Sequence, residues 1–121
     1  MVLVVVDDLL FRSKIRAVAK HAGVDLAFAR TPAEVLDRVR SEPPALAIFD
    51  LDSAKTEPVA TIAALKADPA LARIPTLAFA SHVHTALIGA ARQAGADQVL
   101  PRSAFAGNLA DILLSTRTSR P

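Results

Sequence analysis

Two short apolar runs in this sequence end on acids. Residues 2–6 stop at Asp7-Asp8, and residues 45–49 stop at Asp50, with Asp52 two positions further on. If both runs are neighbouring parallel strands, their carboxyl ends bring Asp7, Asp8, Asp50 and Asp52 to the crevice where open α/β sheets bind ligands. Clustered carboxylates repel one another, so the set calls for a divalent cation. Mg2+ is the natural choice, a hard ion that takes one or two carboxylates, keeps several waters and accepts phosphate oxygens. A plainer reading of the Asp7-Asp8 pair is a helix cap, since aspartate is a good N-cap and favours the positive end of a helix.

The elements that would position these acids are legible in the alternation of strand-length apolar runs with segments of helical period, the pattern of βαβ units and a parallel sheet. The first strand spans 2–6. Leu10, Ile15, Val18 and Ala22 then recur at helical spacing, before Gly23 stops the helix. A second strand covers 24–29. Thr31-Pro32-Ala33-Glu34 then supplies a cap, a proline at the first helical position and an acid in the first turn. That helix, with Val35, Leu36 and Val39, ends before Pro43-Pro44. The third strand is 45–49, and a third helix from Pro58 to Ala67 carries Ile62 and Leu65 and is broken by Asp68-Pro69. The fourth strand covers 74–80, a helix follows over 84–94, the fifth strand covers 98–100, and one last helix over 104–116 buries Leu109, Ile112 and Leu113. The expectation is a single domain over 1–121, five strands and five helices, with no linker, repeat or low-complexity segment.

Bulk composition permits this and excludes several classes. The length of 121 residues suits one domain with a real core, and 52% hydrophobic with 21% charged residues is a globular balance. No run approaches the roughly 18 apolar residues of a spanning helix, and the apolar start lacks a basic leader and a cleavage site, so no membrane association is expected and the cytoplasm is the expected compartment. A net charge of +2 gives no footprint for nucleic acid, and the absence of cysteine removes disulfides, thiolate metal sites and a cysteine nucleophile. The basic tail, 115–121, reads as frayed.

Taken in order, "VVVDD", "LAIFDLD", "ARIPTLAFAS" and "AARQAGADQVL" resemble the receiver domain of bacterial two-component response regulators, over nearly the whole chain. The resemblance implies a flavodoxin-like, doubly wound five-stranded parallel sheet in the order 2-1-3-4-5, with the site at the switch between strands one and three. It implies Asp50 as phosphoacceptor, attacking the phosphorus of a phosphohistidine donor to give an acyl phosphate. It implies Asp7 and Asp8 as the acid pair that holds Mg2+, with Asp50 and the main-chain carbonyl of Asp52 as further ligands.

The sequence departs from the pattern at three places. Where the family carries threonine or serine at the end of strand four, this chain has Ala80, and Ser81, one residue on, is a partial substitute for the missing hydroxyl. The usual lysine is Arg102, followed by Ser103 in place of proline; arginine keeps the charge but offers a planar fork instead of a compact ammonium. The aromatic residue that swings between outward and inward states in many receivers falls at Val99. Arg102 is then either a phosphate clamp or a counter-charge that pairs with Asp50 in the resting state. Asp52 reads as a loop residue with its side chain in water, and His82 and His84 as solvated residues of a loop-to-helix junction.

The resulting expectation is a signalling domain without enzymatic turnover: Asp50 accepts phosphate from a histidine kinase or phosphotransfer protein, with Arg102 and Ser81 in attendance. Output would pass to a separate effector or a homodimer through the face of the fourth helix, fifth strand and last helix, since no helix-turn-helix or catalytic segment follows. The alternative is a phosphorylation-independent docking or dimerisation module. "IFDLDS" also looks like the opening motif of haloacid dehalogenase-like phosphotransferases, but no acidic pair follows Ser81 as that chemistry requires.

Overall fold

The computed structural model describes residues 1–118. Five parallel strands, β1 (Val2–Val5), β2 (Leu26–Phe28), β3 (Leu46–Asp50), β4 (Thr76–Ala80) and β5 (Gln98–Pro101), form one sheet in the order β2-β1-β3-β4-β5. The order arises because the chain winds outward from β1 in both directions, which leaves a crevice between β1 and β3 at their carboxyl ends. In register, Val5 pairs with Phe49, so Asp50 continues β3 level with Val6, and Asp7 and Asp8 follow at the same end.

Period-two alternation along the strands sorts side chains to two faces. Leu3, Val5, Ala47, Phe49, Ala78 and Ala80 join Val35 and Val39 of α2 (Pro32–Ser41), Ile62 and Leu65 of α3 (Pro58–Ala67) and Ala91 of α4 (Thr85–Ala94). On the other face Val2, Val4, Ile48, Leu77 and Phe79 pack on Ile15 and Ala19 of α1 (Leu9–Ala22), Phe105 of α5 (Arg102–Gly107) and Leu109 and Leu113 of α6 (Leu109–Thr118). With both faces covered, the central strands are almost wholly apolar, as a parallel sheet requires.

Local chemistry explains the helix ends. Asp8 caps α1, its Oδ1 accepting from the amides of Leu10 and Phe11 at 3.0 and 3.1 Å. Thr31 Oγ1 accepts from Glu34 N at 3.1 Å, and Glu34 Oε1 reaches back to the Arg30 amide. At the end of α4, Gly95 has φ +107°, and a Cβ there would stand 2.8 Å from Lys66 Cγ, so only glycine fits.

Several expectations are corrected. The last helix is interrupted: α5 stops at Gly107 and α6 begins at Leu109, so the described residues hold six helices, five of them longer than the six-residue α5, in keeping with the expected architecture. Asn108 makes the break, its side chain donating to the Ala104 carbonyl at 2.9 Å while its own carbonyl accepts from Ile112. Asparagine competes with helical bonding in this way, and the preceding glycine lowers helix propensity. Leu10, assigned by its spacing to the core stripe, is 86% exposed. The supposed frayed tail is helical through Thr118, with Arg117 donating to the Ala22 carbonyl at 3.0 Å; residues 119–121 lie outside the described residues. β2 and β4 are shorter than their apolar runs. Among the described residues no helix is long and apolar enough to cross a membrane.

Candidate functional site

Asp50 is the last residue of β3, and its side chain is only 3% exposed. The loop beyond it is held tightly. Ser53 N donates to the Asp50 carbonyl, Thr56 Oγ1 donates to the Ser53 carbonyl at 3.0 Å, and a 3-10 turn (Ala54–Thr56) ends at Glu57, whose φ of +47° is left-handed. Pro58 then starts α3 with its φ already set for a helix. This tight turn presents Asp52 back toward β4.

The Asp50 carboxylate has two partners. Oδ1 accepts from the Asp52 amide at 2.9 Å, and Oδ2 accepts from Arg102 Nη2 at 3.0 Å. Arg102 is the first residue of α5, delivered by β5 after Pro101 ends that strand. Its guanidinium lies 4.8 Å from the Phe11 ring centre and 5.1 Å from that of Phe79. Phe79 stacks on Phe105 at 4.3 Å, and Phe11 meets both edge-on. The cation therefore rests on an aromatic shelf that supports a flat guanidinium better than an ammonium.

Burial raises the Asp50 carboxyl above the ordinary carboxylate range. The Asp52 amide and the charge of Arg102 pull it back down, and the nearby Asp52 carboxylate adds to the rise. Desolvation outweighs pairing here.

Asp52 does not face water as expected. Its side chain is 20% exposed; Oδ2 accepts from the Ser81 amide at 3.1 Å and lies 3.6 Å from Arg102 Nη2, and Oδ1 accepts from His84 Nδ1 at 2.5 Å. Ser81 thus enters through its main chain. His84, read from the sequence as solvated, is tied to the site, while its carbonyl accepts from Ile88 N at the start of α4. A groove of about 300 Å³ lined by Ser81, His82, Arg102, Ser103 and Ala106 opens beside these groups.

The structure therefore gathers Asp50, Asp52, Arg102, Ser81 and His84. Asp8 lies at the same end of the sheet but uses one oxygen as the α1 cap, and Asp7 lies within electrostatic reach of Arg12. In chemical type Asp7, Asp8, Asp50 and the Asp52 carbonyl suit a hard divalent ion. In arrangement, no three acids or histidines among the described residues converge as a ready metal cluster, and the Asp50 charge is met by Arg102. Sequence reasoning missed the aromatic shelf and the His84 contact. Phe11, Phe79 and Phe105 belong to three separate elements, and His84 is 32 residues from Asp52, so no local spacing announces either.

No family model matches the sequence, and no curated protein is similar to it. Solved structures share its fold over nearly its full length. A response regulator from Hahella chejuensis is 23% identical with a TM-score of 0.83, covering 98% of this chain and 95% of that one. The receiver domain of NtrX from Brucella abortus is 16% identical with a TM-score of 0.80, covering 99% and 100%. The Mn2+-bound form of the response regulator Rcp1 is 19% identical with a TM-score of 0.76, covering 98% and 91%.

Proposed function

We propose, on the premise that this chain carries the fold of response-regulator receiver domains, that it is a phosphorelay signalling domain with Asp50 as phosphoacceptor. The observation that carries the reading is the position of Asp50: a buried carboxylate at the carboxyl end of β3, in the switch-point crevice, with a guanidinium 3.0 Å from Oδ2. In the proposed step a carboxylate oxygen of Asp50 attacks the donor's phosphorus. An O–P bond forms, the P–N bond to the donor histidine breaks, and the imidazole leaves with a proton from solvent. Arg102 would turn from the carboxylate toward the transferred phosphoryl oxygens, which its fork matches. Ser81 contributes its neighbourhood to the groove; Ala80 offers no hydroxyl.

The donors for Mg2+ would be Asp7 and Asp8, directly or through water, with Asp50 and the Asp52 carbonyl. Bound there, the ion would shield the charge of the attacking carboxylate. Because Arg102 already neutralises Asp50, metal and arginine compete for the same oxygens, so metal affinity is expected to be weak until Arg102 moves. The proposed donors are a histidine kinase or phosphotransfer protein, acting in the cytoplasm. The proposed output is to a separate effector, or to a second copy through the α4–β5–α6 face.

A second reading rests on Ala80, Val99 and the arginine lock: a docking or dimerisation module independent of phosphorylation. Incubation with a small phosphodonor and magnesium, followed by intact mass for wild type and Asp50→Asn, separates the two. The first reading expects one added phosphoryl group in wild type and none in the variant; an unchanged wild-type mass would overturn it.

A further inference from the structure

At the two positions where the family resemblance implies a hydroxyl and a swinging aromatic, this chain has Ala80 and Val99, which can neither hydrogen-bond nor swing. A different set of contacts joins the acceptor to its neighbours. Asp52 donates its amide to Asp50 Oδ1 at 2.9 Å, and its carboxylate accepts from the Ser81 amide at 3.1 Å and from His84 Nδ1 at 2.5 Å. The same carboxylate shares Arg102 Nη2 with Asp50, at 3.6 Å against 3.0 Å. One side chain therefore touches the cation that neutralises the acceptor, the residue that follows β4 and the residue that precedes α4.

We infer that Asp52 is the positioning residue that couples the charge on Asp50 to the N-terminal turn of α4. The inference deepens the proposed function, because the signal it routes is the state of the acceptor. A guanidinium set between two carboxylates divides its hydrogen bonds according to their charge. When Asp50 is made neutral, Arg102 turns to Asp52 and weakens that carboxylate's hold on Ser81 and His84. When Asp50 gains phosphoryl charge, Arg102 leaves Asp52 and the hold tightens. The two changes act on α4 with opposite sign. His84 is the lever, since its carbonyl receives the Ile88 amide and so begins the helix. The rigid turn behind Asp52, fixed by the Thr56 and Ser53 bonds, keeps the carboxylate from simply following the cation.

The test needs no phosphorylation. Amide hydrogen exchange at Ser81, His84 and Thr85 is compared in the full chain for wild type, Asp50→Asn, Asp52→Ala and the double variant. Asp50→Asn is expected to speed exchange at these amides by at least about twofold, the lower range of coupling within one network, and the effect is expected to vanish in the Asp52→Ala background. His84→Ala, a second and independent variant, should preserve the response at Ser81 and abolish it at Thr85. An equal response with and without Asp52, or no response to Asp50→Asn, overturns the inference. Failure of a phosphodonor to modify wild type would overturn the phosphoacceptor reading and leave the exchange result intact, so the two failures are distinct.

Discussion

A carboxylate that desolvation holds above its ordinary range is a group whose ionised form destabilises the fold it serves. The sign for Asp50 follows from linkage. Below the unfolded value of about 3.9 both states are protonated, and as pH rises through the raised folded value the stability associated with the protonated acid is lost. Asp50→Asn should therefore raise Tm at neutral pH by a few degrees, what roughly 1 kcal/mol shifts in a domain of this size, and the gain should shrink to nothing in acid. Thermal melts across pH check this, and a neutral-pH loss of Tm would show that the Arg102 pair, not burial, dominates. Arg102→Lys keeps the charge but loses the fork and the flat contact with Phe11 and Phe79. Asp50 and Arg102 were legible as residue types at the right separations. The part played by Asp52 was not, because hydrogen bonds across 29 and 32 residues leave no mark in local periodicity.

Among the elements, the sheet is clamped at the end opposite the acids by a second polar cluster. Lys66 of α3 donates to the carbonyls of Ala72 and Ile74 and to Asp97, whose carboxylate also accepts from the Thr76 amide and hydroxyl. Burial opposes ionisation of Asp97, but the Lys66 and Thr76 bonds outweigh it and hold the carboxyl below the ordinary range. Its contribution is thus present above the unfolded carboxylate value and is lost as pH falls through the lower, folded one. Asp97→Ala should cost about 1 kcal/mol at neutral pH, at the low end for lost charge-assisted bonds because the side chain is half exposed. Denaturant unfolding should give that difference at pH 7 and a smaller one in strong acid. Element types and order were readable because Gly23, Pro32, Pro58 and Gly95 punctuate the chain where backbone geometry demands them. The division at Asn108 was not, since the apolar stripe of Phe105, Leu109, Ile112 and Leu113 runs on across it and what marks the break is Gly107 followed by the Asn108 side-chain bond to Ala104.

For the molecule as a whole, three of the large apolar side chains that stand in solvent lie at the acid end of the sheet. Leu9 and Leu10 open α1, and Val83 precedes His84; these are 66%, 86% and 66% exposed. Apolar groups left at the rim of the crevice suit a protein partner. Leu10→Glu should slow phosphoryl transfer from a phosphohistidine protein by about tenfold, the loss of one modest hot spot, without changing Tm or modification by a small phosphodonor. Equal slowing with both donors would place Leu10 in the chemistry instead of the docking. The parallel sheet was foreseeable from the alternation of strand and helix periods and its strand order from the family resemblance, while this rim was hidden because Leu10, grouped by its spacing with the core residue Ile15, lies in the first turn after the Asp8 cap, where it is exposed.

In the proposed phosphorelay step Asp50, and no other acid of the crevice, forms the acyl phosphate. Borohydride reduction converts an aspartyl phosphate to homoserine, so peptide mapping of reduced, phosphodonor-treated protein reads the site directly. Homoserine at position 50 alone is the predicted result; homoserine at Asp7, Asp8 or Asp52, or at none of the four, would contradict it.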